Sequence, residues 1–236
     1  MNERLLVTGG AAGIGKAIAE RGVSAGWDVI VIDQSPANVG RSIIGNLADI
    51  ASTTAALEEA LQNGPITRVV NNVGAVFPAA VEDQTLGQMS ASFDLNLRSA
   101  VQVTQALLPG MKESSFGRIV NMTSRAALGK EHRTAYAAAK AGLIGITRVW
   151  ALELARDGIT VNAVGPGPIA TDLFLKANPP GSPRTRAIVD AIPVGRMGEP
   201  HEVARAANFF LDADAGFVTG QVLYTCGGLS VGVNPV

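Results

Sequence analysis

The stretch that decides the fold is Arg4-Leu-Leu-Val-Thr-Gly-Gly-Ala-Ala-Gly-Ile-Gly15. An apolar run, Leu5, Leu6 and Val7, passes straight into a glycine-rich turn, and a helical pattern begins at Gly13. A turn of this make-up between a first strand and a first helix needs glycine for two reasons. The chain reverses sharply, and its backbone can approach a pyrophosphate closely while helix N–H groups face it. The spacing is Thr-Gly-x3-Gly-x-Gly rather than the commoner Gly-x-Gly-x2-Gly. A merely close-packed turn would use the same residues, so the surrounding chain has to decide.

Outward from that turn, short runs rich in Val and Ile recur at 4–8, 27–33, 41–47, 68–71, 117–123, 160–164 and 218–224. They are mostly continuous rather than alternating, as in strands covered on both faces. Helical patterns fall between them at 13–25, 53–62, 85–107, 133–156 and 200–211. Repeated strand–helix alternation predicts an α/β Rossmann-type fold: a doubly wound parallel sheet of about seven strands with helices on both faces. The link at 34–40 is too short for a full helix. The whole of 1–236 is expected to be one domain that binds a dinucleotide and carries the catalytic groups. The segment at about 172–196 holds Pro179, Pro180, Pro183 and Pro193 with Lys176, Arg184, Arg186 and Arg196. Too long for an ordinary loop, it is expected to be a mobile lid over a site.

Composition excludes several classes. The 236 residues are 47% hydrophobic and only 17% charged, with 27 glycines and a mean hydropathy of +0.24. Such a chain is neither disordered nor collagen-like. Nineteen basic and twenty acidic residues give a net charge of −1, which leaves no electrostatic footprint for nucleic acid. No run is long enough for a membrane span or a signal peptide. The one cysteine, Cys226, makes no internal disulfide and reads as a small buried apolar residue. The expected setting is cytoplasmic.

Two further features carry chemistry. Asp33 ends the second strand about twenty residues after the glycine turn, where a carboxylate accepts both adenosine ribose hydroxyls and repels a 2′-phosphate. With no Arg or Lys beside it, NAD is expected over NADP; the alternative is an aspartate that only caps a turn. Tyr136-Ala-Ala-Ala-Lys140 sets a phenol and an ammonium on one helix face. The cation is expected to lower the phenol pKa from about 10 and make it a general acid/base. Ser124, twelve residues upstream, follows the fifth strand at the edge where ligands bind.

Taken together these residues resemble the short-chain dehydrogenase/reductase family of single-domain type, over nearly the whole chain. The turn with Gly9, Gly13, Ile14 and Gly15 matches the family's cofactor turn, and Asn71-Asn72-Val73-Gly74 matches its Asn-Asn-Ala-Gly with valine for alanine. Asn96, Ser124, Tyr136 and Lys140 match its catalytic tetrad. Pro166, Gly167, Ile169 and Thr171 match the stretch that holds the nicotinamide end. Asn46, with Leu47 beside it, stands where many members place an aspartate on the adenine. The resemblance implies hydride transfer between a nicotinamide cofactor and a secondary alcohol or ketone. Tyr136 would exchange the proton, Ser124 would bind the substrate oxygen, Lys140 would hold the nicotinamide ribose, and Asn96 would anchor a proton relay. It also implies a homotetramer or homodimer; no metal is expected.

Departures from the pattern point to the substrate side. The 124–136 interval is one residue short of the commonest spacing, so the loop at 125–133 should be reshaped. Thr123 could take the hydroxyl role if the register differs. Arg125, Lys130, His132, Arg133 and the basic lid could recruit an anionic substrate, or could simply face solvent. The competing readings are a 3-oxoacyl-thioester reductase using NADPH and a non-catalytic, cofactor-sensing regulator.

Overall fold

A computed structural model describes residues 3–231. Seven parallel strands form one sheet in the order β3-β2-β1-β4-β5-β6-β7. In chain order these are β1 (Arg4–Thr8), β2 (Asp28–Asp33), β3 (Arg41–Ile44), β4 (Arg68–Asn71), β5 (Gly117–Met122), β6 (Ile159–Pro166) and β7 (Val222–Thr225). Around them lie α1 (Gly13–Ser24), α2 (Ile50–Leu61), α3 (Leu86–Phe93), α4 (Ser99–Glu113), α5 (Thr134–Leu154), α6 (Asp172–Ala177), α7 (Pro183–Asp190) and α8 (Pro200–Leu211). This is the Rossmann-type architecture that the strand–helix alternation predicts. The 34–40 link between β2 and β3 carries no helix.

Every residue of β1, β4 and β5 is buried, and the two sheet faces explain their unbroken apolar character. Leu6, Ile30, Ile32, Val69 and Ile119 point into a core shared with α2, α4 and α5. Leu5, Val7, Val29, Val31 and Val70 point the other way, against α1 and α8. At roughly 1.5–3 kcal/mol for each fully buried aliphatic side chain, these two layers supply the main favourable contribution to folding.

Several elements differ from expectation, among them the strand expected at 41–47, which ends at Ile44, and the helix expected at 53–62, which starts at Ile50. The helix expected at 85–107 runs to Glu113 and passes through Pro109, because Leu107 and Met111 are locked into the core on either side of it. Within it, Asp94–Arg98 form one turn of π-helix. β7 begins only at Val222, since Gly220 adopts φ +72° and Thr219 Oγ1 accepts from Val161 N, which occupies the approach to the strand. The 172–196 segment contains two short helices. Each starts on a side-chain cap: Thr171 Oγ1 accepts from Phe174 N at 3.2 Å, and Ser182 Oγ from Thr185 N at 3.2 Å.

Strand order reverses between β1 and β4, and there the chain leaves the sheet in opposite directions. Ligands of open α/β sheets bind in the crevice that such a reversal opens beyond the strand C-termini.

Candidate active site

Asn72, just past β4, bridges the crevice to the glycine turn: its Nδ2 donates to Thr8 O at 3.0 Å and Gly9 O at 2.9 Å. Thr8 Oγ1 in turn accepts from Asn72 N at 2.9 Å. The result is a cleft of about 490 Å³ whose wall includes Gly9, Gly13, Ile14, Gly15, Asp33, Leu47, Asn72, Val73, Gly74 and Thr171. The glycines are structurally required. Gly9 has φ +67°, and a Cβ there would stand 2.9 Å from Val73 Cα. A Cβ on Gly15 would collide with Gly9 O. Unlike α2, α3, α6 and α7, α1 has no side chain capping its first N–H groups. Bare helix N–H groups behind a cradle closed to side chains suit a pyrophosphate, so these residues fit a dinucleotide.

Asp33 lies on the cleft wall and also fixes the loops around it. Its Oδ2 accepts from Ala11 N at 3.0 Å, and its Oδ1 from Ser35 N at 3.0 Å. The turn-capping role is therefore present, and a carboxylate keeps further lone pairs for other donors. No Lys or Arg lines this cleft. Asn46 is not on its wall; Asn46 Oδ1 accepts from Gln34 Nε2 at 2.7 Å and Ala48 N at 3.1 Å, which ties the side chain into its own loop. Gly45 and Gln34 line the cleft instead. The sequence reading did not single out Gln34, whose only signal is its place beside Asp33, nor Ala12, Ala75 or Leu95, which also line it.

A second hollow of about 200 Å³ continues from the first and brings together Ser124, Tyr136, Lys140, Pro166, Gly167, Ile169 and Thr171. Lys140 is buried, and its Nζ donates to Met122 O at 2.8 Å and lies 5.7 Å from the centre of the Tyr136 ring. Burial drives its ammonium down to about 7. Tyr136 behaves differently from the sequence expectation: burial raises its pKa, while the facing Ser124 hydroxyl and the Arg133 charge oppose the rise. With its pKa near 7, Lys140 is only partly protonated at neutral pH, so its charge does not hold the phenol pKa down.

Thr123 Oγ1 donates to Lys140 O at 2.7 Å and is buried. Its hydroxyl is thus spent on the backbone, and Ser124 presents the free one, accepting from Ala126 N at 3.1 Å.

The π turn delivers Asn96 to the same place. Asn96 Nδ2 donates to Ala75 O and Ser92 O, both at 2.9 Å, while its buried Oδ1 has no partner among the described residues. A Cβ on Gly74 would lie 2.5 Å from that oxygen and 3.2 Å from Lys140 Nζ, so Gly74 keeps open the space that both atoms face. A π turn of this kind is frequent at functional sites.

Beyond Tyr136 lies a third hollow, about 320 Å³, bounded by Ser124, Arg125, Lys130 and Arg133, by Val76, and by Phe174 and Ile188 from α6 and α7. The loop before it is tight: Arg125–Leu128 form a 3-10 turn, and Gly129 and His132 both have positive φ. Cys226 is buried outside these three hollows, with Sγ 3.2 Å from Ser230 Oγ.

The chain is similar to known proteins over almost its whole length. The family profile described as Enoyl-(Acyl carrier protein) reductase matches residues 9–230. A (2S)-[(R)-hydroxy(phenyl)methyl]succinyl-CoA dehydrogenase subunit of Thauera aromatica is 37% identical over 98% of this chain and 97% of its own. An acetoacetyl-CoA reductase of Shinella zoogloeoides is also 37% identical, over 97% and 98%. Among solved structures, an Agrobacterium tumefaciens protein proposed as a 2-deoxy-d-gluconate 3-dehydrogenase, with bound NADP, superposes with a TM-score of 0.90 at 28% identity, covering 98% of this chain and 97% of its own.

Proposed function

The chain belongs to the short-chain dehydrogenase/reductase family, an NAD(P)-dependent oxidoreductase of CH–OH and keto groups, and on that premise we propose which of its residues do what. The observation that carries the proposal is the meeting of Tyr136, Ser124 and Lys140 in one hollow continuous with the glycine-lined cleft.

When bound, NAD(P) accepts or supplies the hydride. Gly9, Gly13, Ile14 and Gly15 hold its pyrophosphate, Leu47 and Asp33 its adenosine, Asn72, Val73 and Gly74 the floor of the cleft, and Pro166, Gly167, Ile169 and Thr171 its nicotinamide end. Ser124 Oγ donates to the substrate oxygen and orients it. Tyr136 Oη takes the hydroxyl proton in oxidation and returns one in reduction. Lys140 Nζ, poised near neutrality by burial, passes that proton on, and the unpartnered Asn96 Oδ1 would hold a water that links Lys140 to solvent.

Among the cofactor's two forms, NAD is the proposed partner. Asp33 on a cleft wall without Lys or Arg supports it. A structural neighbour holds NADP, so relatedness does not argue for NAD. Asp33→Asn is expected to narrow the NAD:NADP preference roughly tenfold, about 1.4 kcal/mol, read from kcat/KM with each cofactor. An unchanged ratio contradicts the role given to Asp33.

A second reading, reduction of a 3-oxoacyl thioester, is favoured by the likeness to the acetoacetyl-CoA reductase. A panel of secondary alcohols, ketones and 3-oxoacyl thioesters, followed by absorbance of the reduced cofactor, separates the two. The protein is further proposed to be one domain with α6 and α7 as its lid, to sit in the cytoplasm, and to assemble as a homotetramer or homodimer. Leu152, Val149 and Phe217 support assembly, being large apolar side chains at least half exposed on its surface.

A further inference from the structure

We propose that the substrate carries a carboxylate, held among Arg125, Lys130, Arg133 and Arg184 at the far end of a short apolar body from the reacting carbon. This rests on the alcohol–ketone reading of Tyr136 and Ser124. Three of those cations line the third hollow, whose wall also includes Tyr136 and Ser124. The fourth, Arg184 on α7, lies close enough to act on the others: burial lowers the Lys130 pKa, and Arg133, Arg125 and Arg184 each lower it further. Burial and Arg184 act on Arg133 in the same direction.

Like charges are thus gathered at one spot, and no acidic side chain forms an ion pair with any of the four among the described residues. Some arginines elsewhere do meet a carboxylate: Arg196 meets Glu202 at 2.7 Å, and Arg98 meets Asp94 at 3.2 Å. Unpaired cations held together beside a pocket repel one another, and an anion with oxygen acceptors relieves that repulsion. Lys176, Arg186 and His132, which the sequence placed in the same basic rim, do not line the hollow.

The remaining wall fixes the rest of the ligand. Val76, Phe174 and Ile188 are apolar, so the part between carbonyl and anion is hydrocarbon. About 320 Å³ is at the small end of ligand pockets. It accommodates a keto acid or hydroxy acid, whereas the nucleotide of a coenzyme thioester would project outside.

The test pairs each acid with its neutral ester: levulinate with methyl levulinate, and acetoacetate with methyl acetoacetate. Acetoacetyl-CoA is a third arm, and all are assayed with reduced cofactor. The expected result is a kcat/KM at least tenfold higher for the acids, as for one charge-assisted hydrogen bond. Raised salt should erode that preference without slowing the esters. Arg125→Gln and Arg184→Gln should each shrink the acid-to-ester ratio by about tenfold; Arg184 sits on the exposed side of α7, so its variant keeps the fold. Equal turnover of acid and ester, or a ratio unmoved by both substitutions, overturns the proposal. So does acetoacetyl-CoA outpacing both acids with its rate falling in the variants, because a phosphorylated carrier then supplies the anion. Failure of every carbonyl compound, ester included, instead overturns the alcohol–ketone reading beneath it.

Discussion

Gly74 is the residue on which the tetrad's geometry turns. It touches no reacting atom in the proposed scheme, yet it keeps open the space that Asn96 Oδ1 and Lys140 Nζ both face, and its replacement by any larger residue fills that space. Gly74→Ala is expected to cut kcat by roughly 10–100-fold through displacement of the relay, with cofactor binding measured in parallel to separate the two effects. Lys140 supports a prediction with a definite sign. Its folded pKa of about 7 lies below the unfolded value of 10.5, so the unfolded chain binds more protons between those values. Stability therefore rises with pH across that window, and the cost of a buried ammonium is complete below it. Lys140→Met should lose activity yet melt higher than the parent at pH 6, and the advantage should shrink towards pH 10. A melting difference independent of pH contradicts the buried-cation account.

At the scale of elements, the sequence revealed some features and concealed others for identifiable physical reasons. β1, its glycine turn and α1 were legible because both faces of the strand are buried and the turn excludes side chains. The two short helices α6 and α7 carried signals too, in the N-cap residues Thr171 and Ser182 and in the first-turn proline Pro183. The prolines around them obscured that pattern. The π turn had no signal, since its five residues continue the surrounding helical periodicity, and tertiary contacts from Asn96 to Ala75 select it. Asn46 lies off the cleft wall, its side chain engaged by a neighbouring amide, Gln34, which the sequence did not signal. Ser124, Tyr136 and Lys140 were legible as residue types and spacing, and Asn96 only through the family resemblance; the raised pKa of Tyr136 was not legible, because burial is a property of the folded protein. The short loop before α5 predicts its own strain: His132 is a non-glycine residue at φ +56°. His132→Val should cost about 1–2 kcal/mol and His132→Gly nothing or less, by chemical denaturation.

For the molecule as a whole, the parallel sheet places every candidate group at one edge, beyond the reversal between β1 and β4. Glycines line the cleft there, β5 and α5 bring Ser124 to Tyr136, and Phe174 of α6 and Ile188 of α7 bound the third hollow. The high hydropathy of the chain has two outlets: a core on each face of the sheet, and exposed apolar side chains such as Leu152 and Phe217. Sedimentation at micromolar concentration is expected to give a species larger than the 24.3 kDa chain; a monomer contradicts the proposed assembly. The central claim is that Tyr136 exchanges the proton during hydride transfer. Its most direct test is Tyr136→Phe, assayed on whichever alcohol or ketone the parent turns over, with cofactor affinity measured by fluorescence. The expected result is a kcat lower by about 10²–10⁴ with cofactor binding kept, whereas activity near that of the parent would contradict it.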